Sequence, residues 1–148
     1  MTSMNDTSVV TGPAAGRSSQ LRGLAGTGLI AALAATAATT LAAALARAAG
    51  VDFKISGGGE TIPLSGVTVV TGCFSLVGIV IAVALLRWSA RPTERFVWTA
   101  GSLTAISLAP PLLAGADAAT TTVLLGLHLV PAAVMIPALT RGLRTRAV

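Results

Sequence analysis

The feature that most constrains this chain is where its charges are missing. Arg22, Arg47, Glu60, Arg87, Arg95, Asp117 and Arg141 bracket four stretches that contain no Asp, Glu, Lys or Arg, at 24–46, 62–86, 96–114 and 122–140. A helix rises about 1.5 Å per residue, so about 20 apolar residues cross a hydrocarbon core of about 30 Å, and an uncharged run of about 18 is already suggestive. All four stretches have that length. None shows the strict alternation of barrel strands, and backbone polar groups in lipid must be satisfied within the segment, so helices are expected. Composition agrees: 53% hydrophobic and 10% charged residues, with a mean hydropathy of +0.83, depart from a soluble domain, in which about a quarter of residues are charged. The expected fold is therefore an all-α membrane protein, four transmembrane helices in an up-down-up-down bundle, because short connections make successive helices antiparallel neighbours.

The arginines orient the bundle. Arg17 and Arg22 precede the first span, Arg87, Arg91 and Arg95 occupy the second connection, and Arg141, Arg144 and Arg146 follow the fourth. The other side receives Arg47 and Lys54 mixed with Asp52, Glu60 and Asp117. The positive-inside rule then places both termini in the cytoplasm. The net charge of +5 is thus a topology marker, and no nucleic-acid role is expected, since the basic residues are juxtamembrane and lack interleaved aromatics. The bilayer itself, through its anionic headgroups, is partner enough. Trp88, Phe96 and Trp98 fall at the expected inner interface, where amphipathic rings are favoured.

The organisation read from these runs is a disordered cytoplasmic tail over 1–22, a transmembrane domain over 23–141 and a basic cytoplasmic tail over 142–148. The tail is rich in Ser, Thr, Gly and Pro and has no apolar face. Asn5-Asp6-Thr7 matches a glycosylation sequon without meaning on the cytoplasmic side. A rival reading takes Arg17, Arg22 and the run ending in Ala44-Leu45-Ala46 as a cleavable secretory signal, but the run exceeds the 7–15 residues, roughly, of such a segment. Gly57-Gly58-Gly59 makes the first outer connection flexible and lacks the flanking strand and Lys-Ser/Thr of a phosphate loop. Pro110 and Pro111 remove donors near the end of the third span, which either continues bent through Ala114 or stops short. Pro131 and Pro137 should kink the fourth.

Three residues are candidates for function. His128 is the one histidine of the chain and lies inside the fourth span, where an ionisable group is a functional candidate by default. Counting along antiparallel helices puts it at the depth of Thr39, Thr40, Thr71, Cys73 and Ser107, and Pro131 frees the Leu127 carbonyl as an acceptor. A neutral imidazole bonded to a hydroxyl or to that carbonyl is the structural alternative to a proton-handling or ligand-binding role, or to a site shared between subunits. Arg47 ends the first span on the side where arginine is disfavoured, so an ion pair with Asp52, Glu60 or Asp117 at the outer rim, or an anion site, is expected. Asp52 follows within the same connection. No catalytic constellation, metal-ligand cluster or cofactor is expected, and the lone Cys73 permits no disulfide within the chain.

Several segments resemble a known family: Arg47-Ala48-Ala49-Gly50-Val51-Asp52-Phe53, Ile106-Ser107-Leu108-Ala109-Pro110-Pro111, Leu127-His128-Leu129-Val130 and Ile136-Pro137-Ala138-Leu139. The chain is similar, over roughly 24–141, to uncharacterised four-helix membrane proteins of high-GC Gram-positive bacteria that carry a domain of unknown function. That resemblance implies a bacterial plasma-membrane location and four spans, and it draws attention to Arg47, Asp52 and His128 without assigning them roles. The function expected is a non-enzymatic structural or accessory membrane component that packs against a second copy or another membrane protein or modulates the envelope; small residues through the first span and through Gly66 to Gly78 permit close helix contacts within the chain or across an oligomer. The alternative is a small transporter or a proton- or hydrophobic-ligand-binding protein that uses His128. Small multidrug exporters look different, since they carry a glutamate in the first span and this chain has none there.

Overall fold

The structure, a computed structural model, describes residues 13–53 and 61–146, and those residues form five helices. They are α1 (Pro13–Ala48), α2 (Leu64–Trp88), α3 (Pro92–Ser107), α4 (Ala109–Leu113) and α5 (Ala118–Arg144). Four helical segments are long and apolar enough to cross a membrane, α3 and α4 together making one of 22 residues, Pro92–Leu113. In the most apolar part of each segment only 28, 17, 11 and 22% of residues are buried inside the protein. Most apolar side chains thus face outward, Ile30, Leu33, Phe74, Val80 and Leu113 among them. A surface of that kind suits hydrocarbon as solvent. Residues 1–12, Lys54, the Gly57-Gly58-Gly59 run and Glu60 lie outside the described residues.

The helix ends follow local chemistry. α1 stops at a left-handed glycine: Gly50 has φ +91°, its N–H donates to the Arg47 carbonyl (2.9 Å), and the Val51 N–H reaches the Ala46 carbonyl (3.0 Å). This is a Schellman closure, with Val51 folded back on the same apolar cluster as Ala46. Pro63 precedes α2 in extended conformation, and Ser89, also extended, ends it. Pro92 starts α3 in the first-turn position that tolerates a missing N–H. Asp117 caps α5, accepting from the Thr120 N–H at 2.7 Å and the Thr120 hydroxyl at 3.1 Å.

Several boundaries differ from the sequence expectation. α1 begins at Pro13, inside the segment expected to be an irregular tail, because Leu24 and Gly28 pack against α5 and carry the helix inward past its apolar run. The α2–α3 connection shrinks to Ser89–Arg91, so Arg87 and Arg95 are helical. The third span takes the bent course: Leu108 remains right-handed, its N–H bonds to the Ala105 carbonyl (3.3 Å), and α4 continues after the bend because Pro110 and Pro111 cannot donate to the preceding turn. α5 remains one helix through Pro131 and Pro137.

α1 lies against both α2 and α5, while α3 rests on α2 and α5, and its backbone stays apart from that of α1 among the described residues. Contacts run in opposite directions along paired helices. Gly28 meets Ile79, Thr36 meets Gly72 and Thr40 meets Thr68 between α1 and α2, and Leu24 meets Gly142 while Gly28 meets Leu139 between α1 and α5. Two apolar clusters result. One, with Leu24, Ala35, Ile79, Phe96, Met135 and Leu139, fills the end that holds both described termini; the other, with Ala43, Phe53, Leu124 and Leu127, fills the opposite end. Phe96 therefore belongs to the core, at 2% exposure, and only Trp88 and Trp98 turn outward as interface rings would.

Candidate functional site

Two places bring the singled-out residues into contact with the rest of the fold. The first is the cap formed by the last turn of α1 and the segment after it. Once Gly50 has turned the chain, Phe53 adopts φ +50°, a conformation rare for a bulky residue, and is 1% exposed. Its carbonyl accepts the Ile62 N–H (3.3 Å), and its ring packs with Ala43, Val51, Ile62 and Leu64. Arg47 closes the cap from above. A terminal guanidinium nitrogen donates to the Ile62 carbonyl, and the guanidinium carbon stands 5.7 Å from the Phe53 ring centroid. Of the carboxylates expected beside Arg47, Glu60 lies outside the described residues; the partners described for Arg47 are a backbone carbonyl and an aromatic face. Asp117 is engaged in capping α5, whose first turn has orphan N–H groups to satisfy. The Thr120 backbone N–H, then its hydroxyl, holds the Asp117 carboxyl below its ordinary value. Asp52 sits exposed beside the cap.

The second place is the layer between the two apolar clusters. Thr39, Thr71 and Ser75 are buried there, at 1, 8 and 4% exposure. The helix register sets His128 level with Thr39, as counting along the sequence suggests, yet the layer does not converge on the imidazole. His128 Nδ1 lies 2.7 Å from the Leu124 carbonyl of its own helix. A carbonyl only accepts, so Nδ1 carries the proton in this bond, and Nε2 makes no hydrogen bond among the described residues. The acceptor is thus the carbonyl four residues back, and the Leu127 carbonyl freed by Pro131 is not used by His128. Neighbouring hydroxyls also turn back on their own helix: Thr39 donates to Ala35 (2.8 Å) and Thr104 to Ala100 (2.8 Å), four residues earlier, and Ser107 to Thr104 (2.7 Å), three earlier. One bond links helices here, Thr40 to Thr68 at 2.9 Å, and Thr68 in turn donates to the Leu64 carbonyl (3.0 Å). Cys73 is exposed on the outer face of α2, away from this layer.

The surface offers an apolar groove and a polar cleft. Gly101, Thr104, Ala105, Leu129, Ala132 and Pro137 line an open groove of about 550 Å³ between α3 and α5. Of the two uses expected for the small residues of Gly66 to Gly78, Gly72 and Gly78 take the one within the chain, since they look inward, at Thr36 (3.9 Å) and at Met135 (3.9 Å). Their small size serves packing within the chain. The α3–α5 pair was missed because its small residues, Gly101, Ala105, Ala132 and Ala133, come from two helices and form no run in either. Among the described residues no three His, Cys, Asp or Glu side chains come together as metal ligands would.

These features define a class: an all-helical protein with four helices of membrane length, several of whose threonine hydroxyls are satisfied on their own helix. The chain belongs to a family of unknown function, DUF6069, whose profile matches residues 19–145. No curated protein and no solved structure matches it.

Proposed function

We propose that this chain is a non-enzymatic structural or accessory component of the bacterial plasma membrane, an up-down-up-down four-span bundle with both termini cytoplasmic, which works by packing against a second copy or another membrane protein. The observation that carries this reading is the face of α3. That helix buries only Pro92 and Phe96, and it borders the apolar groove shared with α5. Small residues there allow another helix to approach closely, which is how helices associate in lipid. Retention of the first span is supported by its place at the centre of the packing, against both α2 and α5. The cytoplasmic assignment of the termini rests on the arginine distribution, and the bacterial location on the family resemblance.

The test is native purification from the membrane, with cross-linking before solubilisation. Ala105→Leu and Ala133→Leu, both at exposed positions lining the groove, should abolish a cross-linked species while leaving helix content and melting unchanged. Undiminished cross-linking in both variants removes the groove from consideration. A second reading, proton or hydrophobic-ligand binding at His128, is favoured by the free Nε2, which makes no hydrogen bond among the described residues. It requires His128→Gln to lose pH-dependent flux or ligand retention with folding intact, and equal behaviour of the two proteins rejects it.

A further inference from the structure

The end of the bundle that holds both described termini contains a polar cleft that neither the cap nor the hydroxyl layer uses. It measures about 200 Å³ and lies between the first turns of α1, the α2–α3 connection and the end of α5. Arg17, Gln20, Ser89 and Arg146 supply its polar lining, over a floor of Leu21 and Leu86. Arg146 is fixed in place: one terminal nitrogen donates to the Gly142 carbonyl (3.0 Å), and the guanidinium lies across Gly23, where a β-carbon would come within 3.0 Å of its other terminal nitrogen. Gly23 therefore makes room for the guanidinium. Ser89 Oγ accepts the Arg91 N–H at 3.2 Å, which leaves its O–H to donate.

Every polar group facing the cleft can thus donate. Eight arginines gather at this end, at 17, 22, 87, 91, 95, 141, 144 and 146. Its one carboxylate among the described residues, Glu94, is paired with Arg91 at 3.5 Å. Guanidinium groups lining one cleft favour oxyanions such as phosphate, through charge-assisted bonds. Trp88 and Trp98, exposed at the same end, mark the depth at which headgroups lie. We infer that the cleft between Arg17 and Arg146 binds the phosphodiester of an anionic glycerophospholipid, whose acyl chains continue along the exposed apolar faces of α1 and α2. Basic pockets between helices at a negatively charged leaflet have this chemistry.

The inference rests on the membrane reading, which alkaline carbonate extraction tests separately: release of the chain into the soluble fraction overturns the membrane assignment itself. With the chain retained, the full protein in mild detergent is titrated with phosphatidylglycerol, phosphatidylcholine or inorganic phosphate, and bound species are counted by native mass spectrometry. Arg17→Gln and Arg146→Gln should each weaken phosphatidylglycerol retention about tenfold, the scale of one lost charge-assisted hydrogen bond. Arg141→Gln and Arg144→Gln, which remove the same charge from exposed positions outside the cleft, should change it less than about twofold. Arg146 also closes the end of α5, so the Arg17 variant keeps the test valid if the Arg146 variant loses helix content. Equal losses in all four variants mean diffuse attraction and overturn the site. Equal retention of phosphatidylcholine, or displacement of the lipid by millimolar inorganic phosphate, overturns the anionic-lipid assignment.

Discussion

Gly28 is where three helices meet most closely, so adding one carbon there tests the packing directly. A β-carbon at Gly28 would stand 2.8 Å from Ile79 Cγ1 and 3.1 Å from Leu139 Cδ2. Ile79 is β-branched, 6% exposed and tied to one preferred χ1 in a helix, so its Cγ1 moves only if α2 moves. Gly26, one half-turn earlier, has nothing within 4 Å of the same position. Replacing either glycine with alanine brings the same gain in helix propensity, about 1 kcal/mol. That gain cancels in the comparison, and the difference between Gly28→Ala and Gly26→Ala isolates the overpacking cost, about 1–3 kcal/mol. For a chain of 148 residues about 2–4 °C accompanies each kcal/mol, so the variants should separate by about 2–12 °C in thermal unfolding in detergent. Gly142→Ala should fall between them, since its close neighbour at 2.8 Å is the terminal Leu24 Cδ1, the end of a rotatable side chain. If Gly28→Ala and Gly26→Ala melt together, the α1–α2–α5 junction is not packed as described.

Thr140 Oγ1 is buried without a hydrogen-bond partner, so Thr140→Val should leave stability unchanged or raise it by about 1 kcal/mol, read from the same unfolding assay. Thr68 already donates to Leu64, so Thr40 is the donor of the interhelical bond, and Thr40→Val should cost about 0.6 kcal/mol, the average for such bonds in a membrane bundle. Asp117 has its carboxyl pKa lowered by the Thr120 N–H and hydroxyl, so its stabilising effect is full above the unfolded-state value and is lost as pH falls through the lower folded value. Stability measured from neutral pH down into the acid range should therefore decline less steeply in Asp117→Asn than in the parent; identical slopes remove the cap from the pH response.

Much of the helical architecture was legible because charge is so costly in hydrocarbon that its absence marks the four helices long and apolar enough to cross a membrane. The rotation of each helix was not. A soluble helix reveals its buried stripe by contrast with a polar face, but here core and exterior are both apolar, and nothing in the letters distinguishes Phe96, which turns inward, from Trp98, which turns out. The early start of α1 was hidden for the opposite reason: Arg17, Ser18, Ser19 and Gln20 look like a polar tail, yet they extend a helix whose next turns are anchored by Leu24 and Gly28. For Arg47 the sequence offers only side-chain partners, Asp52, Glu60 and Asp117. Its described acceptor is a backbone carbonyl, to which every residue contributes alike, and no pattern of letters could single out Ile62. The Gly50-Val51 pair was the readable clue, since a glycine after an apolar helix followed by an apolar residue is the mark of the Schellman closure that forms the cap.

His128 is best understood beside the threonines. In lipid an unsatisfied polar group is expensive, so a hydroxyl either crosses to a neighbouring helix or turns back to the carbonyl four residues earlier. Thr27, Thr39, Thr68, Thr104 and Thr122 all turn back, and the imidazole of His128 does likewise through Nδ1. A group satisfied on its own helix contributes little to holding helices together, so this middle layer is weakly adhesive and the two apolar clusters on either side carry the packing. The bond also fixes the tautomer: with the proton on Nδ1, the remaining basic site is Nε2, and any chemistry of His128 must proceed there. Substitution by asparagine, whose amide is too short to occupy the Nε2 position but places a donor near that of Nδ1, therefore separates the two roles. The His128→Asn variant should retain the bond to the Leu124 carbonyl and the stability of the parent while abolishing any proton or ligand binding. Loss of stability in that variant would show that the imidazole ring, rather than its Nδ1 bond, is what the fold requires.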